Sequence, residues 1–333
     1  MDLAAVFMFI LGAITGSFLN VCIVRLPQGK SVVFPGSHCI HCSKSIAWYD
    51  NIPLLSWFVL RGKCRHCAGK FSFRYCLVEL VTAVVFVLFY AYFGWSPVLW
   101  PYLVMAGCFI VATFVDFAHR IIPDEVRIGG MVAGILFSAI VPQLHPVTAA
   151  DNSLAACIAG AIVLLCLFLT LLYPIFCKHL MEDQGPSEDR GVRLVVIVSL
   201  LIAIVINANT GRLPLSIAPY LMSLSAALSG YIIGGGVIYA MGLFGDMVFK
   251  KESMGGGDVK LMAMVGAFLG WKLAVLAFFL APFFGSVYGI VEKIRTRDSA
   301  IAYGPFLVLG SVVSLFWGDA IINWVVRGGV YGS

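Results

Sequence analysis

"LAAVFMFILGAITGSFLNVCIV", residues 3–24, contains no Asp, Glu, Lys or Arg. About 20 predominantly apolar residues cross the hydrocarbon of a bilayer as an α-helix, so this stretch is long enough to span. A secretion signal would carry basic residues ahead of its apolar run. Here Arg25 and Lys30 follow it, and the segment reads as a retained helix with its amino terminus outside. Comparable runs recur at 77–94, 98–116, 126–142, 154–176, 194–207, 217–244, 259–270, 273–291 and 304–325, which predicts ten crossings. The alternation of period two that a membrane barrel needs is absent, so the fold class is an all-α polytopic membrane protein.

Composition says the same. The chain is 61% hydrophobic and 12% charged, where soluble domains carry roughly 25% charged residues. Its mean hydropathy is +0.97. Positive side chains collect in short cytoplasmic loops. With the amino terminus outside, ten crossings put all of the 22 Lys and Arg on the inside except Arg212, Lys272 and Arg327. The net charge of +5 is therefore a topology signal; the expected partner is the lipid bilayer, and no nucleic acid is expected.

Residues 25–76 form the one sizeable polar insert. They hold "CIHC" (Cys39, Cys42) and "CRHC" (Cys64, Cys67), with 21 residues between the pairs. Each C-x-x-C turn presents two thiolates, and two turns complete a tetrahedron around Zn²⁺. Disulfides would be the competing reading, but the charge count places the loop in the reducing cytoplasm. Four cysteines leave no open coordination position, so the zinc is expected to be structural. The glycine-rich run Gly230, Gly234, Gly235, Gly236 and Gly242 is read as close helix packing.

Carboxylates near the hydrocarbon boundary are costly unless they serve a purpose. Asp116 closes the third apolar run. Asp258 opens another, directly after Gly255, Gly256 and Gly257, and the predicted topology puts both at the cytoplasmic ends of helices. An amino-terminal cap would explain Asp124, which precedes the fourth run, and would explain Asp258 too. It would not explain three glycines, which permit positive φ and leave room for another backbone beside Asp258. Two facing carboxylates share one proton, so one acts as base on a water while the other polarises a scissile carbonyl. Such a dyad is an aspartyl protease and needs no cofactor for hydrolysis. A transporter or channel with intramembrane carboxylates and a regulatory zinc loop is the alternative; internal repeats would favour it, and none is seen.

Taken together, "GSFLNVCIVRLPQG" (16–29), "FPGSHCIHC" (34–42), "WYDNIPLLSWFVLRGKCRHC" (48–67), "RYCLVEL" (74–80), "VDFAHRIIPD" (115–124), "GGGDVKLMAMVGAFLGW" (255–271) and "YGPFLVLG" (303–310) resemble the bacterial prepilin peptidases, bifunctional leader peptidases and N-methyltransferases of type IV pili and type II secretion. The resemblance implies a GxGD-type membrane aspartyl protease. It would cleave the basic leader of a prepilin or pseudopilin after glycine at the cytoplasmic face of the bacterial inner membrane, then methylate the new amino terminus using S-adenosylmethionine. The family's catalytic aspartates fall on Asp116 and Asp258, and its loop cysteines on Cys39, Cys42, Cys64 and Cys67. Gly255, Gly256, Gly257, Lys260, Asp124 and Glu79 are candidate substrate-binding or supporting residues. Glu79 is a candidate for cofactor or amine contact, with salt bridging to the basic loop as the competing role. Acidic relief for a basic leader is expected from Asp50, Glu79, Asp124, Glu125 and Glu252. The chain departs from the family at Cys76, where proline is usual, and in an added helical pair. The expected organisation is a first helix (1–24), a zinc-binding loop domain (25–76), helices carrying Asp116 (77–143), the inserted pair (144–216) and helices carrying the GxGD motif (217–333).

Overall fold

A computed structural model describes residues 2–146, 149–176, 188–209, 214, 216–250, 254–296 and 302–326. Glu252, Arg212 and Arg327 lie outside the described residues. Among the described residues the regular structure is entirely helical, and the chain divides into two compact units, Met1–Val126 and Arg127–Ser333.

The first unit holds α1 (Leu3–Arg25), the short α2 (Leu55–Val59), α3 (Arg74–Phe93) and α4 (Leu99–His119). Asp2 caps α1 by accepting from the Ala4 N–H at 3.1 Å, and its other carboxylate oxygen accepts from the Tyr90 hydroxyl at 2.8 Å. A side-chain oxygen at this position satisfies one of the orphan amides of the first turn. α1 and α3 lie antiparallel in close contact because α1 places glycine where they touch. A Cβ on Gly12 would stand 2.7 Å from Ala83 Cα, and one on Gly16 2.7 Å from Glu79 Cα. One turn further, Asn20 Nδ2 donates to the Tyr75 carbonyl at 2.9 Å. Leu19, Ile23, Val78, Val111 and Val115 fill the core of this unit.

α5 (Asp124–Ile140) carries the boundary between the units in its first turn. α6 (Ala149–Phe176), α7 (Glu188–Asn209), α8 (Ala218–Phe249), α9 (Gly256–Thr296) and α10 (Gly304–Val326) follow. The glycines of α8 pack closely, as their spacing predicts. Gly230 and Gly234 leave space for the Gly266 and Met262 carbonyls of α9, while Gly236 admits Ile162 of α6. In the predicted insertion, α6 and α7 pack against α8, with Asn207 Nδ2 donating to Ser225 Oγ at 2.9 Å and Asn152 Nδ2 to the Met222 carbonyl at 2.9 Å.

Over its 41 residues α9 would measure about 60 Å if straight, some twice the hydrocarbon thickness. Gly270, at φ 75° and ψ 172°, breaks it. The two arms correspond to the expected spans 259–270 and 273–291, and counting them separately gives ten long helical segments among the described residues. Among the described residues, six helices are long and apolar enough to cross a membrane: Leu3–Gln28, Arg74–Phe93, Leu99–His119, Ala218–Phe249, Gly256–Ile290 and Gly304–Val325.

Candidate functional site

The two cysteine pairs fold into matching turns. Cys39 N–H donates to the Lys44 carbonyl at 2.9 Å and Ser43 N–H to the Cys39 carbonyl at 2.8 Å; Cys64, Gly69 and Ala68 repeat the pattern at 2.8 and 2.9 Å. Ser43 and Ala68 both take positive φ to close their turns. A β-bridge flanks each turn, His38 with Ser45 and Lys63 with Lys70. The four sulfurs lie within 4.8 Å of one another, and those of Cys39 and Cys67 are 3.8 Å apart. A tetrahedral ion with metal–sulfur bonds of about 2.3 Å sets its sulfurs about 3.8 Å apart, so these thiols could hold a metal ion. The backbone amides of Cys67 and His66 pull the Cys64 thiol down to about 7. Burial and the neighbouring Cys42, Cys64 and Cys39 sulfurs push the Cys67 thiol of the same turn up to about 11, so Cys64 is the first of the two to become thiolate, the form that ligates. Asp50 grips Arg65 through both carboxylate oxygens, with Nη2 to Oδ1 at 2.6 Å, and the Arg65 guanidinium holds the Asp50 carboxyl below its usual range.

Glu79 sits half-buried on α3, and its carboxylate accepts from the Leu54 N–H at 2.8 Å and from the Ser17 hydroxyl. It takes none of the loop's cations, so the salt-bridging role is not what places it. Ser17 and Asn20 went unnoticed in the sequence as functional candidates. The four-residue spacing of Gly12, Gly16 and Asn20 was the signal that one face of α1 meets another helix.

Asp116 is buried in the last turn of α4, where its carbonyl accepts from the Arg120 N–H at 2.8 Å. Asp258 lies half-buried in the first turn of α9, its N–H bonded to the Gly255 carbonyl at 3.0 Å. None of Gly255, Gly256 and Gly257 takes positive φ, contrary to one reason given for the run. Space is the other reason, and it differs along the run. A Cβ on Gly256 would meet nothing within 4 Å, whereas one on Gly257 would stand 3.0 Å from Nη1 of the buried Arg127. Arg127 is the residue that sequence reasoning missed here, since its partner in space is a glycine 130 positions away. Lys260 follows, half-buried, on the same helix. Tyr303, just before α10, is pushed up to about 12 by burial and by the charge of Asp258. Asp124 and Glu125 occupy the first turn of α5, where carboxylates meet the positive end of the helix dipole.

A helical membrane protein bearing a four-thiol cluster and helix-terminal aspartates is the class that this fold and site define. Residues 10–93 match the model of the bacterial peptidase A24 N-terminal domain, and residues 191–290 match that of the type IV leader peptidase family. The chain belongs to that family. It is 32% identical to a prepilin leader peptidase/N-methyltransferase of Myxococcus xanthus, over 88% of this chain and 64% of the relative. A protein of the same name from Legionella pneumophila is 27% identical over 93% of this chain and 90% of its own length. A type 4 prepilin-like proteins leader peptide-processing enzyme of Escherichia coli is 27% identical over 92% and 91%. These names give the transporter alternative no support. No solved structure matches the chain.

Proposed function

We propose that this chain is a membrane aspartyl endopeptidase. It cleaves the basic leader of type IV prepilins or type II secretion pseudopilins after glycine, at the cytoplasmic face of the bacterial inner membrane, and then N-methylates the new amino terminus with S-adenosylmethionine. The match of residues 191–290, which bear Asp258, to the type IV leader peptidase family carries this reading. Asp116 and Asp258 are its catalytic pair. The first turn of a helix stabilises negative charge and the last turn does not. Asp258 therefore carries the charge and takes a proton from water, while Asp116 holds the shared proton and polarises the scissile carbonyl. The water oxygen bonds to the carbonyl carbon, the C–N bond breaks, and the amine leaves with a proton. Gly255 and Gly256 leave the approach to Asp258 open, and Arg127 buttresses Gly257.

Zn²⁺ is the ion that Cys39, Cys42, Cys64 and Cys67 would hold, in a structural role, since four thiolates complete its tetrahedron. S-adenosylmethionine supplies an electrophilic methyl group when bound. Purified protein incubated with a synthetic prepilin and isotopically labelled methyl donor, read by mass spectrometry, tests both reactions. Leader loss and a labelled methyl on the mature product are expected in wild type; an intact leader would sink the reading.

A further inference from the structure

Tyr303 is fixed where the two arms of α9 come together. It immediately precedes α10, and its carbonyl accepts from the Phe306 and Leu307 N–H groups at 3.0 and 3.2 Å, which closes the first turn of that helix. Its ring lies against Gly285: a Cβ there would stand 3.8 Å from Tyr303 Cε2 and 3.6 Å from the Phe306 ring. Phe306 in turn packs on Tyr288, with ring centroids 5.4 Å apart.

Gly285 belongs to the second arm of α9, whereas Asp258 opens the first. They are 27 positions apart, which is about 40 Å along a straight helix. The charge of Asp258 nevertheless acts on Tyr303, so α9 folds back at the Gly270 break. Packing shows the same reversal. The Gly270 Cα stands 3.0 Å from where a Cβ on Gly230 of α8 would lie. Just past the break, Trp271 and Val275 pack on the cluster of Ile232 and Ile233, the stretch of α8 that the first arm has already passed. Asp258 lies 12 residues before Gly270 and Gly285 15 after it. At about 1.5 Å per residue, the fold-back returns them to nearly the same depth.

The Tyr303 hydroxyl is spare. The residue is half-buried, and its O–H has no hydrogen-bond partner among the described residues. Burial and the charge of Asp258 push the phenol up to about 12, so at neutral pH it keeps its proton and remains a donor. A donor that stands beside the base without bonding it is available to a substrate atom bound there.

We propose that Tyr303 is a further catalytic residue of leader cleavage, its O–H donating to the scissile carbonyl oxygen. This rests on the function proposed above, with Asp258 as the base. As the water oxygen bonds to the carbonyl carbon, the C=O electron pair moves onto oxygen. One lone pair of that oxygen faces Asp116 and another accepts from Tyr303. Tyr303 keeps its proton throughout; when the C–N bond breaks, the C=O bond re-forms and the hydrogen bond weakens. Packing on Gly285 sets the donor in place before charge develops, which is what makes such a group effective.

Tyr303→Phe removes one oxygen and keeps the ring on Gly285. Full-length protein in detergent micelles is assayed on a synthetic prepilin. Loss of one such donor costs about 10²–10³-fold, so kcat is expected to fall at least about 100-fold, with KM within about threefold and the melting temperature at its wild-type value. Two uncleavable peptides read the oxygen itself: a difluoroketone at the scissile position, hydrated to a tetrahedral diol, and the same peptide with a methylene there. Tyr303→Phe is expected to bind the diol at least about tenfold more weakly and the methylene peptide within about threefold. Their ratio is read on folded protein alone, so it decides even where the variant loses stability. Wild-type kcat in Tyr303→Phe, a loss carried by KM, or an equal loss on both peptides overturns the proposal and leaves the proposed function standing. An intact leader with wild type sinks the proposed function and this role with it.

Discussion

Gly16 packs directly beneath Glu79: a Cβ at residue 16 would stand 2.7 Å from the Glu79 Cα and 3.0 Å from Thr82 Oγ1. The nearest atom belongs to backbone, so a side chain there cannot be relieved by a rotamer change. The α1–α3 seam, and with it the position of Glu79, depends on that missing atom.

Gly16→Leu should therefore push α1 off α3. Overpacking of this kind costs about 1–3 kcal/mol. The expected outcome is a lowered melting temperature in detergent. Gly256→Ala provides the contrast, since its Cβ would meet nothing within 4 Å and should leave the melting temperature where it was.

Asp116→Asn and Asp258→Asn should each abolish leader cleavage. General acid–base groups contribute about 10²–10⁴-fold, so each variant should fall at least about 100-fold in rate on a synthetic prepilin. Retained cleavage by either variant, at normal expression, would remove that residue from the catalytic pair.

Chelation should release about one zinc per chain, because four thiolates make one closed tetrahedral site. Cys39→Ser is expected to abolish retention through gel filtration, and to open the 26–73 loop to limited proteolysis. Metal analysis together with the digestion pattern checks both. Metal retained at wild-type stoichiometry would argue against the four-cysteine set.

His145 gives the protein an acid limit. It is buried, its Nε2 lies 3.1 Å from the Ala267 carbonyl beside the Gly270 break, and burial lowers its value to about 4. Unfolded histidine titrates near 6.5, so between those values the unfolded chain binds a proton that the folded chain does not. Stability is thus complete above pH about 6.5 and declines as pH falls toward 4, by about 3 kcal/mol in all. Melting temperature against pH should show that decline in wild type and a flatter profile in His145→Gln.

How much of this was legible beforehand depended on how local each determinant is. Apolar runs and C-x-x-C turns are written within a few consecutive residues, so the helices of α1, α3 and α4 and the four-thiol cluster could be read directly. The break in α9 was also visible, as two short spans around Gly270, because a straight helix of that length overshoots the bilayer. The role of Gly257 was not. The run before Asp258 suggested left-handed backbone, and its backbone stays on the ordinary side of φ because what needs the space is the Arg127 guanidinium. Glu79 was similarly ambiguous, since a loop rich in Lys and Arg made a salt bridge as reasonable as any ligand role.

The sequence by itself determined the membrane-spanning class, the four-thiol cluster and the family, since hydropathy, cysteine spacing and motif order are properties of neighbouring residues. Only the tertiary structure decided which polar groups are left without counterparts. Whether a carboxylate meets an arginine or an amide, and whether an amide oxygen meets anything, is set by helix register over distances along the chain that no local pattern encodes.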